Sequence, residues 1–299
     1  MEREYSKYLV KFVKENMEIV KQFIPQMEEL LLVYGVKMDS DSPAVVQLGI
    51  LIDKIHMEMK NPEQMLPVIK AMCIRVDSYN KQQWDAIIKS VLGMPMRDIP
   101  FDRIIRQDAE ADDTLREMWV AENLDYLRNV DEQTMQKIKQ MLTGKIVGNV
   151  NRRELSKDLI DEIEKITEFE RNRAVLIARD QVGKLNGKLM EYRQTHAGIT
   201  EYKWSSSHDQ RVRPTHQEFD GKIYTWGANS PHPNPEGSPG MPIRCRCVAI
   251  LVIDLDKIVT KPVPQSYVQV QEYRPVELAS EGEIYRRNRL GISIHKRES

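Results

Sequence analysis

Only three cysteines occur in 299 residues. They are too few and odd in number for a disulfide framework, which fits a chain folded in a reducing compartment. Nowhere do 18 apolar residues run together, and the opening stretch MEREYSKYLVKFVKENM interrupts its apolar positions with charge every few residues. Neither a membrane-spanning helix nor a secretory leader is therefore expected. The 44 basic and 45 acidic residues almost cancel, so no overall field argues for nucleic acid or an anionic surface, and any electrostatic partner has to be read locally. The glycine signatures of phosphate cradles, G-x-x-x-x-G-K-[ST] and G-x-G-x-x-G, are also missing.

What is present falls into two regimes and a tail. Between 5 and 34 the apolar residues, among them Tyr5, Leu9, Phe12, Val13, Val20, Met27, Leu30 and Leu31, recur at helical spacing. Pro25 is expected to kink or split that helix. Ser42-Pro43 and Asn61-Pro62 supply cap and first-turn pairs for two more helices, the second running through MLPVIKAMCIRV. A further helix is expected around Trp84, closed by Gly93. Segments 109–130, 131–147, 153–166 and 169–192 contain no proline and little glycine, and each reads as a helix. Met57, Met59, Met65 and Met72 lie in these patterns as core filling.

At Gly198 the pattern changes. TEYKWSSS and GKIYTW alternate like strands, ANSPHPNPEGSPGMP is a loop, and IRCRCVAILVI ends in an apolar run suited to a buried strand. The expected fold class is mainly α with a C-terminal α+β module: an elongated helical N-terminal region, 1–167, then a small mixed domain, 168–253, then an extended polar tail, 254–299. The last stretch, YRRNRLGISIHKRES, has five basic residues against one acid.

Chemistry concentrates in the mixed module. Four of six histidines and two of three cysteines lie between His196 and Cys247. If Cys245 and Cys247 stand on a strand, their side chains share one face, about 6.5–7 Å apart at Cα, and a local bend would let both sulfurs meet an ion. With His208 and His216 they make a Cys2His2 inventory for zinc, although the C-x-C spacing departs from the usual two-residue knuckle. The alternative is that the cysteines are small buried hydrophobes and His216 a hydrogen-bonded loop residue. Trp204, Asp209, Arg211, His216, Asp220, Gly221, Cys245 and Cys247 then form a clasp, with Arg211 forking onto a carboxylate and Asp220-Gly221 making a turn.

The ordered set Ala178-Arg179, Asn186, Gly198, Trp204, Asp209, Arg211, His216, Asp220-Gly221 and Cys245-Arg246-Cys247 resembles the phage head-morphogenesis proteins of the Mu F-like minor-capsid family, over about 171–253. In that family an acid often stands where this chain has Gln181. The resemblance implies a non-enzymatic virion protein of a tailed-phage head, made in the bacterial cytoplasm and needed for assembly or genome packaging. Its implied partners are the portal protein and other capsid components, with packaged DNA as a further one and no membrane. No cofactor is expected unless zinc occupies the histidine and cysteine set.

Two other readings stand beside it. One is a metal-dependent hydrolase or nuclease using His208, Asp209, His216, Cys245 and Cys247. The other is a DNA-contacting internal head protein using Arg286, Arg287 and Arg289, or a basic helix face bearing Lys184, Lys188 and Arg193.

Overall fold

Helix α1, Glu2–Gln22, buries Tyr5, Leu9, Phe12, Val13, Met17 and Val20, whereas Tyr8, read from sequence into the same stripe, is exposed. A proline lacks the N–H that continues a helix but is welcome in a first turn. Accordingly α1 stops at Gln22, and α2, Ile24–Tyr34, carries Pro25 at its start. The computed structural model describes residues 1–34, 43–92, 109–144, 152–227 and 237–252. Ser42, Gly93 and the tail with Arg286, Arg287 and Arg289 lie outside them. After α3, Pro43–Glu58, the Asn61 side-chain oxygen accepts the Glu63 N–H at 2.9 Å and caps a short 3-10 helix, Pro62–Met65.

Three of the expected helix boundaries are absent. The two helices read on either side of Val76 are one, α4, Leu66–Leu92. The four segments from 109 to 192 are two, α5, Ala109–Gly144, and α6, Arg152–His196. The physical reason is that no glycine or proline stands at the supposed joints, and tertiary packing carries the helix through them. Thr134 and Thr167 are both buried and return their hydroxyls to the carbonyls of Val130 and Ile163, at 2.8 and 2.7 Å, inside unbroken helices.

Helix α6 is the spine. Its Leu155, Leu159, Ile163, Ala174, Ala178, Val182, Leu185 and Leu189 join the stripes of α1 to α5 in one apolar cluster. Met59, Met65 and Met72 are in it, whereas Met57, expected in the core, is 78% exposed. Several polar groups inside this bundle are paired, although Asp131 Oδ1 and the Trp84 indole N–H have no hydrogen-bond partner among the described residues. Tyr5 donates to Asn123 Oδ1 at 2.9 Å, Asn123 to Gln181 Oε1 at 3.2 Å, and the Trp119 indole to the Gln181 carbonyl at 2.9 Å. Buried Arg193 donates to Asp77 and Asn80, and Asp77 also accepts from Arg116 at 2.9 Å.

Gly198, at φ 75°, ends the spine: its N–H reaches the Thr195 carbonyl and that of Ile199 the Gln194 carbonyl. A three-stranded antiparallel sheet follows, in the order β2-β1-β3, from β1, Glu201–Ser205, β2, Ile223–Thr225, and β3, Val248–Val252. A six-residue helix, α7, Pro214–Phe219, lies between β1 and β2. Tyr202 and Trp204 of β1 and Ala249 and Leu251 of β3 point inward. Gln194 stitches sheet to spine, donating to the Ala249 carbonyl and accepting from the Trp226 indole, each at 3.0 Å. All described residues fall in one compact unit, Met1–Val263. Among them no helix is long and apolar enough to cross a membrane.

Candidate metal centre

His216 comes from α7. Arg213 is extended ahead of Pro214, which opens the helix from its first turn. That start turns His216 inward, where it is buried edge-on to Trp204 at 5.3 Å between ring centroids.

The two cysteines come from the chain leading into β3. They do not lie on the strand as expected; Met241 N–H to the Ser238 carbonyl and Cys245 N–H to the Pro242 carbonyl close two turns before it. Arg244, inside the second of these turns, is left-handed at φ 59°, its N–H held by Asp180 Oδ1 of α6 at 3.2 Å. This loop geometry supplies the bend that an extended C-x-C lacks. The His216 Nδ1 and both sulfurs lie within 4.8 Å of one another, with Cys245 Sγ at 3.6 Å and Cys247 Sγ at 3.4 Å from the nitrogen.

The loop comes this close to α6 because Gly187 and Gly240 carry no side chain there. A Cβ on Gly187 would stand 2.9 Å from the Pro239 carbonyl oxygen, and one on Gly240 3.3 Å from that of Gly183. Sequence reasoning missed Gly183, Gly187 and Asp180. The available signal was two glycines four apart in a helix with few others, the mark of a close backbone approach.

Local electrostatics favour sulfur in its charged form at one position. The Cys245 thiol is drawn down to about 6 by the hydrogen bond from Cys247, helped by the Gly240 N–H at 3.4 Å and by His216. Cys247 is pushed up by that same hydrogen bond and by burial, while the Trp204 indole works the other way.

The remaining clasp residues brace this loop. Arg246 forks onto Asp209, with Nη2 to Oδ1 at 2.6 Å and Nη1 to Oδ2, and the Arg211 backbone N–H adds a bond at 2.9 Å. The fork onto a carboxylate thus belongs to Arg246, not to the Arg211 side chain. Arg246 first, then that N–H, holds the Asp209 carboxyl down at about 2. Asp220 accepts the Ser206 N–H at 2.7 Å, Gly221 at φ 76° donates to the Trp204 carbonyl, and Arg213 donates to the Ile243 carbonyl at 2.6 Å.

His208 is elsewhere. Its Nδ1 lies 3.4 Å from Asp220 and 3.3 Å from the Ser206 hydroxyl, on a side chain 67% exposed. The structure therefore gathers His216, Cys245 and Cys247 and leaves His208 outside the cluster. Nor do Lys184, Lys188 and Arg193 make the basic face considered from sequence. Lys184 pairs with Asp180 at 2.8 Å, Lys188 faces Glu122 at 3.8 Å, and Arg193 is buried against Asp77.

The donor set suits zinc. With Zn–S near 2.3 Å and Zn–N near 2.0 Å, a tetrahedral site separates sulfur and nitrogen by about 3.5 Å, the spacing found between His216 and each cysteine.

Residues 136–250 match the family model described as Phage Mu protein F like protein. An uncharacterised protein of Haemophilus influenzae strain Rd is 36% identical over 144 residues, which is 48% of this chain and 31% of that protein. The chain thus spans under a third of the length of the curated relative it matches. No solved structure matches. The matched stretch starts in α5, earlier than the resemblance read from 171 onward, and takes in α6, α7, both turns of the cysteine loop and most of β3. That match makes residues 136–250 of this chain similar to the Phage Mu F-like family, in agreement with the resemblance carried by its sequence.

Proposed function

We propose that this chain is a minor structural protein of a tailed-phage head, seated at the portal vertex, where it acts in head assembly or in packaging and delivery of the genome. The family match over 136–250 carries this reading. The geometry agrees with it, because the residues around the matched sheet are engaged in holding loops together. Asp209 is engaged by Arg246 and His208 stands beside Asp220. Of the five residues that a hydrolase would require, only three meet, so the structural role is favoured over the enzymatic one.

The helical region is the part we assign to the portal or capsid partner. The test uses the full chain. Co-expressed with the portal protein of the same phage or prophage, it should sediment with portal oligomers and be found in purified heads. Silencing its gene should leave heads that are misassembled or lack DNA. Free sedimentation beside intact portal oligomers, together with normal infectious titre after silencing, would overturn the proposal.

A further inference from the structure

We propose that His216 Nδ1 and the sulfurs of Cys245 and Cys247 bind one zinc ion, and that water completes the tetrahedron. Three independent features of the chain converge on this site. First, the donors come from separate elements, α7 and the loop before β3, yet lie within 4.8 Å of one another. Small buried hydrophobes need no such convergence on an imidazole nitrogen.

Second, Cys245 has an outer partner of the kind that tunes metal-bound thiolates, the Gly240 N–H at 3.4 Å from its Sγ, and Cys247 is buried in one cluster with Trp204. Third, two thiolates and one imidazole are a soft and borderline set, which selects zinc over magnesium or calcium. Among the described residues no fourth donor joins the group. Cys245 is part-exposed, which leaves the ion an approach from solvent, and a site with three protein ligands ordinarily carries water in the fourth position. Binding exchanges the thiol protons still held for the metal and releases them to solvent.

This inference stands apart from the head-assembly reading: a chain that fails to meet the portal can still hold zinc, and the reverse. The experiment is metal analysis of the full chain purified under reducing conditions without chelator, followed by replacement of the metal with Co2+. Expected are about one zinc per chain and, with Co2+, tetrahedral visible bands beside an intense thiolate-to-cobalt charge-transfer band. Imidazole should shift the visible bands by displacing the water. Cys245→Ser should abolish the charge-transfer pattern of two sulfurs; should that variant misfold, the wild-type spectra decide alone. Absence of bound metal after Zn2+ titration, or a cobalt spectrum without the thiolate band, would overturn the site. A thiolate-bearing spectrum indifferent to imidazole would overturn the open water position.

Discussion

Gly187 shows how much a single missing Cβ matters here. An added methyl would meet the Pro239 carbonyl oxygen at 2.9 Å, and neither partner is a side chain that can swing aside. The loop carrying Cys245 must then lift from α6. Gly187→Ala gains helix propensity but should lose about 1–3 kcal/mol net through overpacking, or roughly 2–4 °C in Tm per kcal/mol for a chain of this class. Thermal unfolding followed by circular dichroism measures this. Gly183→Ala is the internal comparison, since its Cβ would meet only ordinary contacts at 3.7 Å or more and should be close to neutral. At this scale the sequence was half legible. Cys245, Cys247 and His216 announced themselves by residue type, but which histidine would join them depended on where α7 turns its side chains. Gln181 likewise stood out as a departure from the family pattern, and its role appears only in the fold, where it accepts from Asn123 and receives Trp119 within a buried polar set.

Helix α6 is where pattern reading and structure part most clearly. Periodicity found helical residues on both sides of 167–168, but the boundary between them has no counterpart in the backbone: α6 runs from Arg152 to His196. Pattern reading places breaks wherever the apolar stripe drifts, and in a long helix the stripe drifts because different faces meet different neighbours. Pro25 and Gly198 were legible because their effect is local, one through a missing N–H and the other through a left-handed turn. Continuity across Glu168 is testable at that exposed position. Glu168→Pro removes an internal hydrogen bond and drives its ring into the preceding turn, costing about 3 kcal/mol or more in a continuous helix. A chain with a natural joint there would tolerate the change, so a Tm within error of wild type would contradict the unbroken spine.

At the scale of the whole molecule, the division into a helical region and a mixed module was readable from composition, because strand-like alternation replaces helical spacing at one point. Their mutual dependence was not readable, since it rests on contacts between residues far apart in the chain. Trp84 and Ile88 of α4 share a cluster with Met190 of α6, Ile199 and Leu251 of β3. Gln194 bonds both the Ala249 carbonyl and the Trp226 indole. The same α6 contributes eight residues to the core that α1 to α5 require. Removing the sheet would therefore expose one end of the spine, and melting the bundle would strip the sheet of its support. The described residues should accordingly unfold in one cooperative transition, with far-ultraviolet circular dichroism, dominated by the helices, and the fluorescence of buried Trp204 and Trp226, read by differences against Trp204→Phe and Trp226→Phe variants, giving coincident midpoints in urea. Two separated midpoints would mean that α6 can fray between its halves and that the module folds without the bundle.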